Sequence, residues 1–240
     1  AMEPETLAAL RALAPARGLR LIEVGQEVRL RSHRALPAGQ ALSVEAFGAT
    51  AELEIRVPGR FQAENALVAL ALAVATEMDA ATALGLLPRL APVRGRMELA
   101  ARLPNGAAVY VDYAHTPDAL ERLLDALRPH VAAGAKLHAL FGAGGDRDPG
   151  KRPLMGAAAA RFADRIWVTD DNPRSEEPAA IRAAVLAGAG EGAVDAGARE
   201  AAIARALDAL GPGDVLAVAG KGHESGQEIA GVKHPFDDVA

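Results

Sequence analysis

No cysteine occurs among the 240 residues, which excludes a disulfide scaffold, thiol catalysis and a cysteine-based zinc site. A reducing compartment suits such a chain, and a cytoplasmic location is the expectation. Long apolar runs are missing too. The longest, residues 66–75, is ten residues of Ala, Leu and Val, well short of the ~20 that a bilayer-spanning helix requires. It reads instead as part of a buried helix, and no membrane insertion is expected. No basic segment followed by an apolar stretch opens the chain, so a secretory leader is not expected. Positive charge is scattered without basic runs, and the net charge is −5. Nothing therefore favours nucleic acid or anionic membrane surfaces as partners. HExxH and other clustered metal-ligand spacings are absent, and no Ser-His-Asp arrangement is identifiable.

What is present is a soluble globular composition, half hydrophobic and about a quarter charged. Up to about residue 90 the pattern is α+β. A helix is expected at 6–13, short strands at 19–24, 28–31, 41–47 and 52–57, then helices at 62–78 and 79–87. The stretch 90–96, Leu-Ala-Pro-Val-Arg-Gly-Arg, has the Pro/Gly content of a domain linker. Beyond it strands and helices alternate. Strands are expected at 109–113, 136–141, 165–169 and 214–219, with helices at 117–128, 152–162, 178–187 and 200–210. That alternation predicts an α/β fold with a mainly parallel sheet. In such sheets the loops at the carboxyl ends of the strands build the site. Polar segments 112–116, 142–152, 170–174 and 220–224 all fall at those ends, so a shared cleft is expected.

Two phosphate-binding motifs are approached and missed. Gly145-Asp-Arg-Asp-Pro-Gly-Lys151-Arg152 follows the P-loop pattern until its last position, where Arg152 replaces the Mg²⁺-binding hydroxyl. Asp146 and Asp148 would also repel a polyphosphate. Gly142-Ala-Gly-Gly-Asp-Arg147 begins like a dinucleotide fingerprint, but Arg147 stands where Gly or Ala should let a helix pack closely.

Asp170-Asp171-Asn172-Pro173-Arg174 offers a guanidinium fork for a carboxylate, and carboxylate and amide groups for an ammonium. It reads either as a receptor for an amino-acid head group or as an Asx-Pro turn before the helix opened by Ser175-Glu-Glu-Pro. Gly220-Lys-Gly-His-Glu224 follows an apolar strand; its glycines allow close backbone approach, Glu224 could accept an ammonium, and His223 reads as structural or solvated. Asp112-Tyr-Ala-His115-Thr-Pro117 either meets a nucleotide or caps the next helix. The residues alone support a polar, amino-acid-like small-molecule site without naming a reaction.

At these same residues the chain resembles the Mur ligases that build the peptidoglycan stem peptide, and among them the diaminopimelate-adding members. The resemblance runs in order through 59–65 (GRFQAEN), 95–98 (GRME), 111–119 (VDYAHTPDA), 144–156 (GGDRDPGKRPLMG), 171–174 (DNPR), 220–224 (GKGHE) and 236–238 (FDD). It implies that residues 1–92 are the C-terminal part of a central ATPase domain and 93–240 a Rossmann-like, amino-acid-binding C-terminal domain. It also implies that Arg147, Asp171, Asn172, Pro173, Arg174, Gly220 and Glu224 hold meso-diaminopimelate, with Arg174 pairing the distal carboxylate that lysine lacks. Asn65, Arg96, Asp112 and His115 would approach the nucleotide, with Gln62 standing where many members have Asn. The reaction implied is ATP- and Mg²⁺-dependent activation of a D-glutamate γ-carboxylate, followed by attack of the amino acid's amine. The second substrate is then UDP-N-acetylmuramoyl-L-alanyl-D-glutamate. No metal ligand or confident catalytic residue is assigned within 1–240, since the ATP loop and Mg²⁺ ligands would lie upstream. The chain alone is expected to be a monomer and inactive in ligation. The alternatives are a lysine-adding homologue and a non-catalytic amino-acid-binding module.

Overall fold

The computed structural model describes residues 3–36 and 39–240, which divide into two compact units. One comprises the described residues of 1–34, 40–55 and 60–90; the other comprises those of 35–39, 56–59 and 91–240.

In the first unit, helix α1 (Pro4–Ala16) precedes a three-stranded sheet in the order β1 (Val28–Leu36), β2 (Gly39–Ala46), β3 (Ala49–Ile55). Helices α2 (Arg60–Ala75) and α3 (Ala80–Leu86) follow. α1 runs past the expected stop, carrying Pro15 in its last turn. The strand expected at 19–24 is absent: Leu19 and Val24 are exposed, and only an isolated bridge from Val24 to Val28 forms. The apolar α2 buries a single stripe, Ala63, Ala66, Leu67, Leu70 and Ala71, at i, i+3, i+4, i+7 and i+8. Leu72 on its other side is 62% exposed, so the helix is half-buried rather than enclosed. α3 begins where Asp79 accepts the backbone N–H of Thr82 at 2.9 Å.

The second unit is an α/β layer structure around a six-stranded sheet in the order β4-β5-β9-β6-β7-β8. Its strands are β4 (Glu98–Arg102), β5 (Ala108–Asp112), β6 (Leu137–Phe141), β7 (Arg165–Thr169), β8 (Val194–Gly197) and β9 (Val215–Ala219). Only the β4–β5 pairing is antiparallel; β5–β9, β9–β6, β6–β7 and β7–β8 are parallel. Every residue of β5, β6 and β9 is buried, as central parallel strands covered on both faces require. Helix α4 (Pro117–Leu127) is capped by Thr116 and buries Leu120, Leu123, Leu124 and Leu127. The remaining helices are α5 (Lys151–Phe162), α6 (Pro178–Ala189) and α7 (Arg199–Asp208), and a hairpin of β10 (Gly226–Ile229) and β11 (Val232–Pro235) closes the unit. Edge strands β4 and β8 and this hairpin were not foreseen in the sequence.

Helices α5 and α6 meet backbone to backbone through glycine. A Cβ on Gly188 would lie 1.8 Å from the Pro153 carbonyl oxygen, and one on Gly156 would lie 2.2 Å from that of Val185. Intrinsic propensity alone would make Gly188→Ala stabilising by about 1 kcal/mol. The clash is with main chain that cannot rotate away, and overpacking of this kind costs about 1–3 kcal/mol or more. Gly188→Ala is therefore expected to lower the urea midpoint of unfolding; an unchanged or raised midpoint would refute the packing argument.

Candidate functional site

Four loops leave the carboxyl ends of neighbouring strands β5, β9, β6 and β7, and the structure ties them to one another. The centre is Lys221, whose side chain is fully buried. Its ammonium donates to Asn172 Oδ1 at 2.9 Å and the Gly226 carbonyl at 2.8 Å, and lies 3.3 Å from Glu224 Oε2 and 3.4 Å from Asp171 Oδ1. Asn172 donates in turn to Glu224 Oε2 at 3.1 Å, and its Oδ1 also accepts the Glu228 N–H at 2.9 Å. Asp171, Asn172 and Glu224 are thus fixed by one buried cation that sequence reasoning passed over.

Gly220 has φ +116, a backbone that side chains rarely adopt, and a Cβ there would lie 3.3 Å from Asp171 Oδ2. Behind it Arg199, also fully buried, pairs bidentately with Asp238 at 2.7 Å through both Nε and Nη2. Asp171 Oδ1 and Arg199 Nη1 are both buried without a hydrogen-bond partner. Pro173 is buried, its carbonyl packed so close to Gly145 that a Cβ there would lie 1.9 Å away.

Arg174 occupies left-handed backbone, φ +53. A non-glycine residue there is strained and is held by its surroundings. Here its N–H donates to the Glu228 carbonyl at 3.1 Å, and its own carbonyl accepts the Ala230 N–H at 2.7 Å. The guanidinium gives Nη1 to the Gly145 carbonyl at 2.7 Å and sets Nε 3.2 Å from Glu228 Oε2. Arg147 is exposed and bonded only to its neighbour Asp146's carbonyl, yet its Cγ and Arg174 Nη1 both flank Gly144. A cavity of about 380 Å³ opens here, lined by Asn172, Arg174, His223, Glu224, Glu228 and Lys233 among others. Glu228 and Lys233 come from the unforeseen hairpin.

The Gly142–Lys151 loop is not a phosphate cradle. Asp146 is exposed and accepts Ser175 Oγ at 2.6 Å and Ser175 N at 3.2 Å. Arg152, where a P-loop has its hydroxyl, is buried and donates to Glu176 at 2.7 Å. Hydrogen bonding from Arg152 and from the Asp146 N–H holds the Glu176 carboxyl below its ordinary range.

On the β5 side, both Asp112 oxygens are engaged by backbone, Oδ2 by Met97 N at 2.8 Å and Oδ1 by Ala114 N at 2.7 Å. Burial pushes the Asp112 carboxyl up despite these bonds. Asp112 therefore organises the junction between the linker and the β5 loop. Arg96 is exposed and stacks over Tyr113 at 4.7 Å, while His115 Nδ1 lies 2.8 Å from the Tyr113 carbonyl, leaving Nε2 as its outward nitrogen. Gly95, Gly222 and Tyr113 interlock: a Cβ on Gly95 would come within 2.2 Å of the Gly222–His223 backbone. Asn65 lies in α2 of the other unit, exposed and donating to Gln62 at 3.1 Å. Among the described residues no three His, Asp or Glu side chains gather as a metal site.

A larger hollow, about 490 Å³, opens at the opposite, amino ends of β6 and β7, lined in part by Lys136, His138, Arg165, Trp167 and Asp214. Its inner polar groups are already matched. His138 takes the Trp167 indole N–H at 3.3 Å and faces Asp214 at 3.2 Å. Burial lowers the His138 imidazole against the pull of Asp214. The carboxyl-end cavity keeps a guanidinium and carboxylates partly open to solvent at its rim.

Residues 95–222 match the family described as Mur ligase, glutamate ligase domain. A Caulobacter vibrioides protein named UDP-N-acetylmuramoyl-L-alanyl-D-glutamate–2,6-diaminopimelate ligase is 56% identical over 218 residues, covering 91% of this chain and 44% of the relative. A Chelativorans protein of the same name is 47% identical, covering 94% of this chain and 47% of the relative. The chain thus spans about half the length of the curated relatives it matches. A solved ligase of that name superposes with a TM-score of 0.66 at 38% identity, over 89% of this chain and 44% of that one. Mycobacterium tuberculosis folylpolyglutamate synthase shares the fold, with a TM-score of 0.70 at 21% identity, over 90% of this chain and 50% of that one.

Proposed function

The chain belongs to the Mur ligase family, and we propose that it is the amino-acid-selecting portion of an ATP-dependent ligase that joins meso-diaminopimelate to UDP-N-acetylmuramoyl-L-alanyl-D-glutamate. The observation that carries this is the mostly buried Arg174 guanidinium, borne on strained backbone at the rim of a cavity shared with Asn172 and Glu224. The names of the most similar relatives support the substrate. Residues 1–92 are read as the end of the ATPase domain and 93–240 as the amino-acid-binding domain.

In this reading Arg174 takes the distal carboxylate of the ligand and Arg147 swings in from the exposed loop to take another. Glu224, Asp171 and Asn172, set by Lys221, receive ammonium groups, and Gly220 and Pro173 shape the wall. A receptor pre-organised in this way lowers the entropic cost of placing the attacking amine. ATP with Mg²⁺ would supply activation of the acceptor carboxylate as an acyl phosphate. Arg96 and the outward His115 Nε2 fit accessory contacts to a nucleotide, with Asp112 holding their loop. No catalytic step is assigned to these residues.

The 240-residue chain supplied with ATP, Mg²⁺ and both substrates is expected to release no ADP. By calorimetric titration it is expected to bind meso-diaminopimelate more tightly than lysine by at least about tenfold, or 1.4 kcal/mol. Ligation by the chain alone would sink the division of labour proposed here, and equal binding of lysine would sink the substrate.

A further inference from the structure

Resting on that reading, we propose that Glu228 reads the configuration of the ligand's far end, so that the site distinguishes meso- from LL-diaminopimelate as well as from lysine. The far end of diaminopimelate is itself an amino-acid head, one carbon bearing an ammonium, a carboxylate and a hydrogen. Arg174 recognises the carboxylate, which lysine lacks. With that carboxylate fixed, the two diaminopimelate isomers differ only in where the ammonium points, and a guanidinium repels both ammonium groups alike.

Glu228 supplies what Arg174 cannot. Its Oε2 lies 3.2 Å from Arg174 Nε, and its side chain is 44% exposed at the cavity rim. Its backbone leaves it little freedom to move away. The N–H donates to Asn172 Oδ1 at 2.9 Å, and the carbonyl accepts from Arg174 N at 3.1 Å. The two main chains are therefore held side by side on neighbouring segments, with the guanidinium and the carboxylate in contact. Such a cation–anion pair is the electrostatic complement of a zwitterion laid antiparallel to it, carboxylate on Arg174 and ammonium on Glu228. Among the described residues no acceptor is bonded to Arg174 Nη2, so the guanidinium can take a carboxylate while keeping Glu228. Asn172 and Glu224 hold the rest of the ligand. Carboxylate, ammonium and carbon chain are then three fixed points around one carbon, which is the minimum that defines its handedness.

The test is titration of the full 240-residue chain, wild type and Glu228→Gln, with meso-diaminopimelate, LL-diaminopimelate and 2-aminopimelate, which has the far carboxylate but no far ammonium. The wild type is expected to prefer the meso isomer over both others. In Glu228→Gln an ammonium–carboxylate ion pair becomes an ammonium–amide hydrogen bond, which keeps one charge and loses the other. Meso binding should then weaken about tenfold, towards the LL level. Binding of 2-aminopimelate should stay level or tighten, because Arg174 loses an internal competitor. A purely structural role would weaken all three ligands together, and that result would overturn the inference. So would a meso-to-LL ratio that is unchanged in the variant, or absent in the wild type, while meso-diaminopimelate still outcompetes lysine. If the wild type binds neither meso-diaminopimelate nor lysine, the amino-acid reading itself fails and takes this inference with it.

Discussion

Arg174→Ala is expected to erase the preference for meso-diaminopimelate over lysine, lowering affinity for the diacid by about two to three orders of magnitude and that for lysine little. The scale follows from the cost of truncating one partner of a largely desolvated, hydrogen-bonded charge pair, about 2–5 kcal/mol. The lysine arm fixes the interpretation, because lysine never pairs with the guanidinium. Arg174→Lys restores the charge but not the planar fork, and should recover only part of the loss. The backbone gives an independent check. Residue 174 sits at φ +53, held there by main-chain bonds to Glu228 and Ala230. For an L-residue this conformation costs about 1–2 kcal/mol. Alanine shares that cost, so the variant should keep the loop and lose the ligand. Titration with both amino acids checks this, and meso binding within threefold of wild type would remove Arg174 from the site.

The site was legible in the sequence to the extent that it sits where a parallel sheet must put it. Val215–Ala219 is a short apolar run followed at once by Gly220 and Lys221, and Leu137–Phe141, apolar but for His138, runs into glycines and then Asp146. That transition marks a carboxyl-end loop whatever the protein does. The loops 142–152, 170–174 and 220–224 accordingly converge as expected. The meaning of individual residues was harder to read. Arg152 and Asp146 already broke the P-loop pattern in the sequence, but the partners that hold them, Glu176 and Ser175, lie 24 and 29 residues away. Asp112 looks like a ligand group, but its two oxygens are taken by the N–H groups of Met97 and Ala114. Such long-range partners leave no trace in local pattern.

The elements that were missed share one physical character. β4, β8, β10 and β11 are short edge or hairpin strands held by backbone pairing, with no run of apolar side chains to announce them. Missing β10 meant missing Glu228 and Lys233, which no motif covers. The opposite error, a strand expected at 19–24, arose from apolar residues that have no sheet to join and remain exposed. Lys221 was in plain view within Gly-Lys-Gly-His-Glu, and a lysine flanked by glycines directly after a buried strand was the available signal. Its significance depends on complete burial, which only the folded chain reveals.

Lys221→Met should therefore be strongly destabilising. The lysine side chain has no exposure and touches four oxygens, from Asn172, Gly226, Glu224 and Asp171. Methionine fills much of the same volume but leaves the Asp171 carboxylate buried beside a lost counterion, with the Gly226 carbonyl unpaired. Removing one partner of a buried charge cluster costs about 3–5 kcal/mol. In a domain of this size each kcal/mol moves the melting temperature by about 2–4 °C, so a fall on the order of 10 °C is expected. The exposed pair Arg11–Glu23 is the internal control. Arg11→Ala removes a solvent-screened surface bridge and should shift the melt by no more than a few degrees. Arg199 bears on the size of the effect, because it already faces Asp171 across Gly220 with its Nη1 unpaired. If Arg199 can turn to neutralise Asp171, part of the loss is recovered, and adding Arg199→Met to Lys221→Met should then cost more than the two separate changes predict. Calorimetric melts of the single and double variants decide this. A Lys221→Met protein melting within about 2 °C of wild type would show that the buried ammonium does not hold the loops together.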